Sequence, residues 1–171
     1  MLLHELGQRF DSPTVNLYFS AGNFVKFCAK LKYYLECELE ELADAGMDYP
    51  VGTLGSGDDR IIIYFMHYDN FSQAKEKWDE RKKRVHWDNI YYVMTDGTNS
   101  SDEIVRQFDS LPMKHKAVLT GKEYSSVESA VRFPKLGNED VGQPNLFALK
   151  SFVSFKRVID DWDYVSFFNS R

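Results

Sequence analysis

Polar side chains that could do chemistry stand at the ends of three apolar runs in the sequence. The runs cover residues 60–67, 90–95 and 117–120, and the side chains at or just after their ends are His67 and Asp69, Thr95 and Asp96, and Thr120 and Lys122. In an open parallel sheet, ligands bind outside the carboxyl ends of the strands. An imidazole beside a carboxylate there can act as a general base and its orienting partner, or as part of a metal site.

Two of these strand-end residues are predicted to be catalytic and three to contact substrate: His67 and Asp96, and Asp69, Thr95 and Thr120. Each also has a purely structural interpretation. Asp96 and Thr120 both precede a glycine, which is a common turn pair. His67 could end a strand with its ring bonded to a backbone carbonyl. Position at a strand end is the main reason for assigning function, and both interpretations stay open.

The elements that must position these residues follow from the spacing of apolar side chains. Residues 14–19 favour a strand, and residues 23–43 carry apolar side chains at steps of three and four, which predicts one long helix. Further strands are predicted at 60–67, 90–95 and 117–120, further helices at 70–85 and 102–111, and a terminal helix after the acids at 160–163. Residues 126–133 fit a strand or a helix. The alternation predicts one α/β domain over residues 1–171, with three α/β/α layers and a mostly parallel sheet.

Composition bounds the class of protein. A chain of 171 residues with 43% hydrophobic residues can bury one core. A net charge of -5 argues against a surface built for nucleic acid, so no nucleic-acid partner is predicted. No apolar run approaches the roughly 20 residues of a membrane span, and the first residues lack the plan of a signal peptide. We therefore predict a cytoplasmic protein, which unpaired thiols at Cys28 and Cys37 would suit.

Two short motifs resemble ligand sites but occur in the wrong setting. Gly52, Gly55 and Gly57 follow a helix and precede a strand, the reverse of a phosphate loop, so residues 45–59 are predicted to be an irregular connection. The string Asp161-Trp162-Asp163 matches the Asp-x-Asp by which sugar transferases hold a metal and a nucleotide diphosphate. Here it opens a helix, where the helix dipole explains the acids. No metal site is proposed.

The basic run at residues 81–84 lies on the predicted helix at 70–85. Glu80 is spaced to pair with Arg84, and Asp79 with Lys82 and Lys83. No aromatic side chains alternate with the basic residues, so the run has no surface on which nucleotide bases could stack. The run is predicted to be a solvated helix face.

A set of short phrases resembles the bacterial family known as domain of unknown function 1919, over a stretch from about Leu6 to the carboxyl end. The phrases are SPTVNL at 12–17, YPVG at 49–52, FMHY at 65–68, AKEKW at 74–78 with RKKR at 81–84, WDNI at 87–90 and MTD at 94–96. The pattern positions matched here are His67, Trp78, Trp87, Asp88, Asn89 and Asp96. Members are often labelled exopolysaccharide or capsule biosynthesis proteins.

The resemblance implies an α/β fold and a role in surface polysaccharide synthesis, and it adds Trp87 and Asn89 to the predicted substrate contacts. It also implies a further strand and an Asn-Asn-Cys-Trp-Gly-Gly-like turn before Met1, which this sequence lacks. One hypothesis is a transferase that acts on a sugar or activated sugar, such as a nucleotide sugar. The alternative is a carbohydrate-binding or assembly protein without catalysis, using Trp87, Tyr91 or Trp162 as stacking surfaces.

Overall fold

The computed structural model describes residues 7, 11–97, 99–137, 141–151, 153 and 155–170. The protein has an α/β fold in which helices and two small sheets are mixed. Its residues group into two compact units, Met1–Ile90 and Tyr91–Arg171. Within the described residues, no helix is both long and apolar enough to cross a membrane.

The first unit begins with two helices where one was predicted. Helix α1 (Ala21–Ala29) is capped by Ser20, whose hydroxyl accepts from the Asn23 N–H at 3.4 Å. Lys30 leaves the helical region with φ -127°, and α2 (Leu31–Glu36) follows it. The predicted helix at 23–43 is thus wrong beyond Glu36, because the residues after Cys37 turn extended and join a sheet.

The first sheet is antiparallel, in the order β1 (Glu40–Glu41), β2 (Val51–Leu54), β3 (Ile61–Tyr64). The link from β2 to β3 is a short turn containing a 3-10 segment at Gly57–Asp59. A link of this length allows only antiparallel pairing, since a parallel crossover needs a dozen or more residues. The predicted strand at 14–19 contributes one bridge, Tyr18 to Tyr64.

Strand β2 corrects the prediction of an irregular connection at 45–59. All four of its residues are buried. A side chain at Gly52 would have its Cβ 2.8 Å from Leu39 Cδ1 and 3.2 Å from the Phe65 ring. The glycine is therefore needed for packing in a strand and takes no part in a phosphate loop.

Helix α3 (Phe71–Lys82) completes the core of the first unit. Asn70 caps it by accepting from the Gln73 N–H at 3.0 Å. Its buried Trp78 belongs to a core of aromatic and aliphatic side chains from α1, α2 and the sheet: Phe27, Tyr34, Leu35, Leu39, Leu54, Ile61, Ile63 and Phe65.

The basic run is largely paired, as predicted. Lys82 pairs with Asp79 at 2.8 Å, and Arg84 with Glu80 at 3.7 Å. Arg81 donates to the Val15 carbonyl at 2.6 Å and to the Tyr68 hydroxyl at 2.8 Å. The run therefore faces water in part, and through Arg81 it also forms hydrogen bonds with other segments of the first unit.

The second unit contains a parallel sheet, ordered β4 (Tyr92–Thr95), β5 (Lys116–Thr120), β6 (Ala130–Arg132). Helix α4 (Asp102–Ser110) connects β4 to β5 and buries Val105 and Phe108. The remaining elements described in the second unit are 3-10 segments at Pro134–Leu136 and Val158–Asp161, and helices α5 (Gln143–Leu146) and α6 (Tyr164–Asn169). The α/β class is confirmed, and the expectation of a parallel sheet holds for this second unit alone.

Candidate functional site

Two of the predicted residues meet at the carboxyl end of the second sheet. Asp96 follows β4, and its N–H donates to the Leu119 carbonyl at 2.9 Å. Thr120 ends the neighbouring strand β5 and is fully buried. Its hydroxyl donates to Asp96 Oδ2 at 2.8 Å. The two side chains therefore meet at the carboxyl ends of neighbouring parallel strands, and their predicted roles stay predictions.

The loop after β5 returns two further side chains to Asp96. Lys122 Nζ lies 3.4 Å from Asp96 Oδ1, and the Tyr124 hydroxyl lies 3.0 Å from Oδ2. The Asp96 side chain is only 1% exposed. A carboxylate buried to this extent is costly unless it is paired and hydrogen-bonded, and these donors meet that need.

Asp102 extends the arrangement to the surface. It is the first residue of α4, and its Oδ1 lies 3.0 Å from the Tyr124 hydroxyl and 3.7 Å from Lys122 Nζ. The Asp102 side chain is 58% exposed, and that of Lys122 is 34% exposed. We call the five connected residues the carboxylate network: Asp96, Asp102, Thr120, Lys122 and Tyr124.

Tyr124 is held as a hydrogen-bond donor. Burial raises the pKa of its phenol, and the acceptors Asp102 and Asp96 raise it further. The phenol therefore stays protonated at neutral pH, and its single O–H lies within hydrogen-bond distance of a buried carboxylate and of an exposed one. An exposed carboxylate can accept a proton from a hydroxyl, and an ammonium beside it can stabilise negative charge on a neighbouring group.

The turn that returns Lys122 requires glycine at position 121. A Cβ on Gly121 would lie 2.2 Å from the Gly137 carbonyl oxygen. The Thr120 carbonyl accepts from the Phe133 N–H at 2.7 Å, so the segment after β6 lies directly against this turn. Close backbone approach is one of the circumstances that only glycine permits.

The other predicted strand-end residues are exposed and do not belong to the carboxylate network. His67 and Asp69 are exposed and follow β3 of the first unit. Among the described residues, the His67 ring has no hydrogen-bond partner. Thr95 is exposed at the end of β4. His67 and Asp96 belong to different units, so their joint action stays a prediction.

The residues added by the family resemblance are exposed too. Trp87 is 52% exposed. Asn89 is exposed in a turn, where its N–H donates to the His86 carbonyl at 3.0 Å. Both are available to a ligand, and neither belongs to the carboxylate network.

The acids around Trp162 are already engaged. Asp163 caps α6 by accepting from the Ser166 N–H at 2.9 Å, and this bond lowers the pKa of its carboxyl. Asp161 pairs with Lys150, and Asp160 with Arg157 at 2.9 Å. The string was predicted to open a helix, and Asp163 is the residue that does so, while Asp161 lies in the 3-10 segment before it. A shallow depression of about 560 Å³ runs over this segment and includes the half-buried Trp162.

Sequence reasoning missed two members of the carboxylate network. The sequence predicts Asp102 only as the start of a helix, and it gives Tyr124 no predicted role. The available signal was Lys122 at a strand end, with an aromatic hydroxyl two residues further on. No three His, Cys, Asp or Glu side chains of the described chain gather in a way that could hold a metal ion.

These features define an α/β protein with a polar site at the carboxyl end of a small parallel sheet. Over residues 1–169 the sequence matches the family described as Domain of unknown function (DUF1919), and the chain belongs to that family. It is similar to an uncharacterized protein of Haemophilus influenzae (strain ATCC 51907 / DSM 11121 / KW20 / Rd), with 34% identity over 169 residues. The match covers 98% of this chain and 78% of the relative.

Proposed function

We propose that this protein is a transferase that acts on a sugar or activated sugar in surface polysaccharide biosynthesis. The observation that carries the proposal is the exposed end of the carboxylate network, where Asp102 and Lys122 stand 3.7 Å apart. The resemblance to a family whose members are often labelled exopolysaccharide or capsule biosynthesis proteins supports the choice of pathway.

The chemistry of sugar transfer suits these two groups. The bond from the sugar carbon to a diphosphate oxygen breaks, and a bond to the acceptor hydroxyl oxygen forms. Asp102 accepts the hydroxyl proton as a general base. Lys122 stabilises the charge that develops on the departing diphosphate.

Asp96 has a different part in this proposal. Its side chain is buried, so it meets no substrate and is a positioning residue. It fixes Lys122 and Tyr124, and Tyr124 in turn holds Asp102. His67 would add a second catalytic group only if the first unit contributes to the same reaction.

The test is a thermal-shift screen of the full chain against nucleotide sugars, with and without magnesium or manganese. A ligand that binds only the folded state raises the Tm. We expect a nucleotide sugar to raise it, Lys122→Met to abolish that rise, and Asp102→Asn to keep it, because a general base for the acceptor is not needed to bind the nucleotide sugar. The matched control is Arg132→Met, which removes another exposed cation of the same unit, paired with Glu123 at 2.8 Å.

Transfer to an acceptor is then measured with the ligand that the screen identifies. Asp102→Asn should lower kcat about 10²- to 10⁴-fold, the usual contribution of a general base. His67→Ala is measured in parallel, and lost turnover with normal folding would assign it to the reaction. Shifts equal in all variants would refute the proposed site.

The second candidate is a carbohydrate-binding protein without catalysis. The observation that favours it is the depression that includes Trp162, because a ring there offers a face for sugar stacking, and Asp160, Asp161 and Asp163, which line it, have further oxygen lone pairs that could accept from sugar hydroxyls. Free glycans would then change tryptophan fluorescence in the wild type, and Trp162→Phe would remove the change. A response to nucleotide sugars alone would argue against this candidate.

A further inference from the structure

The Tyr124 hydroxyl has one hydrogen and two carboxylates within reach. Its oxygen lies 3.0 Å from Asp96 Oδ2 and 3.0 Å from Asp102 Oδ1. A phenol donates one hydrogen bond and accepts others through its lone pairs. When both carboxylates are charged, the hydrogen serves one of them, and the other faces a lone pair of the phenol. The carboxylate network is therefore one hydrogen short at Tyr124.

Burial decides which carboxylate receives this hydrogen. The Asp96 side chain is 1% exposed, whereas that of Asp102 is 58% exposed. An acceptor that water cannot reach loses more when it is left without a donor than an exposed acceptor does. The Tyr124 hydrogen is therefore directed at Asp96. Burial and the two carboxylates also raise the pKa of the phenol, so the hydrogen stays on Tyr124 at neutral pH.

Asp102 Oδ1 is then left facing the phenol oxygen with no hydrogen between them. Lys122 Nζ lies 3.7 Å from Oδ1, which is too long for a hydrogen bond. In the described part of the chain, the hydrogen-bond partner of this oxygen is Tyr124. A hydrogen on Oδ1 would donate to the phenol oxygen, while the phenol donates to Asp96. Both carboxyl groups would then have a partner at Tyr124.

We propose that Tyr124 is a positioning residue that accepts a hydrogen from Asp102 while it donates its own to Asp96. Its part in catalysis rests on the proposed function, in which the hydrogen comes from the acceptor hydroxyl. The O–H bond of the acceptor breaks, its electron pair forms the bond to the sugar carbon, and the proton joins Asp102 Oδ1. Asp102 then donates this hydrogen to Tyr124. The phenol thus stabilises the protonated form that a general base must reach.

The test uses Asp102→Asn, because an amide carries the hydrogen that a protonated Asp102 would carry. Exchange of the Lys116–Thr120 amides measures opening of the second sheet, with Tyr124 present and in Tyr124→Phe. The increase in exchange rate caused by Asp102→Asn should be about two- to tenfold smaller with Tyr124, because the new amide gains a hydrogen bond there. A phenol hydrogen directed at Asp102 predicts the opposite sign. That sign, or equal effects in both backgrounds, would overturn the proposal.

Glu103→Gln is the matched control. It makes the same chemical change at the next residue of the same helix, on an exposed carboxylate that accepts from Gln107 at 3.3 Å. Its effect should be the same with Tyr124 and with Tyr124→Phe. Nuclear magnetic resonance gives a second measurement that does not need Tyr124→Phe to fold. One hydrogen of the side-chain amide introduced by Asp102→Asn should be protected from exchange, and two unprotected hydrogens would overturn the proposal.

Activity separates this inference from the proposed function. With a nucleotide sugar found by the thermal-shift screen, Tyr124→Phe should lower kcat about two- to tenfold, the value of one hydrogen bond. It should leave the rise in Tm unchanged, since the bond from Asp102 forms during transfer. The expected exchange results without binding of any nucleotide sugar would refute the transferase and support the hydrogen arrangement. Binding with an unchanged kcat in Tyr124→Phe would keep the transferase and overturn the role of the phenol.

Discussion

Replacing Asp96 by asparagine tests the carboxylate network most directly. The substitution keeps the shape of the side chain and removes its charge. Oδ2 accepts from Thr120 and Tyr124, and Oδ1 faces the Lys122 ammonium. An asparagine has a single oxygen, so its amide must point a donor at the hydroxyls or at the ammonium. At least one donor loses its acceptor.

The magnitude follows from burial. Removing one partner of a fully buried ion pair costs about 3–5 kcal/mol. Lys122 is 34% exposed and regains water, so the lower range for hydrogen bonds to charged groups, about 1.5–3 kcal/mol, applies. We expect a loss of about 2 kcal/mol in the free energy of opening the second sheet. That corresponds to a factor of roughly 30 in the opening equilibrium.

Hydrogen exchange of the Lys116–Thr120 amides measures this loss within the second unit. The exchange rates should rise by that factor in Asp96→Asn. Glu123→Gln is the matched control, since it makes the same chemical change on a carboxylate 76% exposed, and it should alter the rates less than about twofold. Lys122→Met should cost less in the Asp96→Asn background than in the wild type. Equal rates in Asp96→Asn and Glu123→Gln would refute the reasoning.

Two further substitutions probe what supports the site. Gly121→Ala would place a Cβ 2.2 Å from the Gly137 oxygen, so we expect a loss of about 3 kcal/mol or more; wild-type exchange of the β5 amides would contradict this. Burial raises the pKa of the Asp109 carboxyl, but bonds from Ser129 and Glu128 lower it more, so the net pKa is lowered from 3.8. The stability that Asp109 gives is therefore complete well above that value and is lost as pH falls through the folded-state pKa. Asp109→Asn should cost about 1–3 kcal/mol at neutral pH and lessen the acid dependence of the urea midpoint; an unchanged acid dependence would contradict the assignment.

The second unit was predictable where its signals are local. The runs at 90–95 and 117–120 and the helix between them form one strand–helix–strand unit, so spacing alone located β4, α4 and β5. Strand β2 was not predictable in the same way, because VGTL lies in a glycine-rich stretch. Gly52 is required by the approach of Leu39 and Phe65, which are distant in sequence. The amino-acid composition of a segment does not predict its contacts with residues that are distant in sequence.

Some members of the carboxylate network could likewise be predicted from the sequence, and others could not. Asp96 and Thr120 could be predicted, because neighbouring parallel strands bring their carboxyl ends to one edge. Tyr124 and Lys122 reach Asp96 only because the chain turns back at Gly121 against Gly137. That return depends on a backbone contact across the unit, and no spacing rule predicts it.

The reasons for proposing a functional role differ between the two predicted catalytic residues, His67 and Asp96. His67 follows a strand of an antiparallel sheet. The rule that ligands bind at the carboxyl ends of strands applies to parallel sheets, so it does not support His67. Its candidacy depends on the family pattern and on its exposure. Asp96 follows a parallel strand, and its buried carboxylate faces the side chains of Thr120, Lys122 and Tyr124, so its catalytic role stays a prediction. The members of the carboxylate network with exposed side chains are Lys122 and Asp102, so variants of those two test the proposed catalysis with less effect on folding than variants of Asp96.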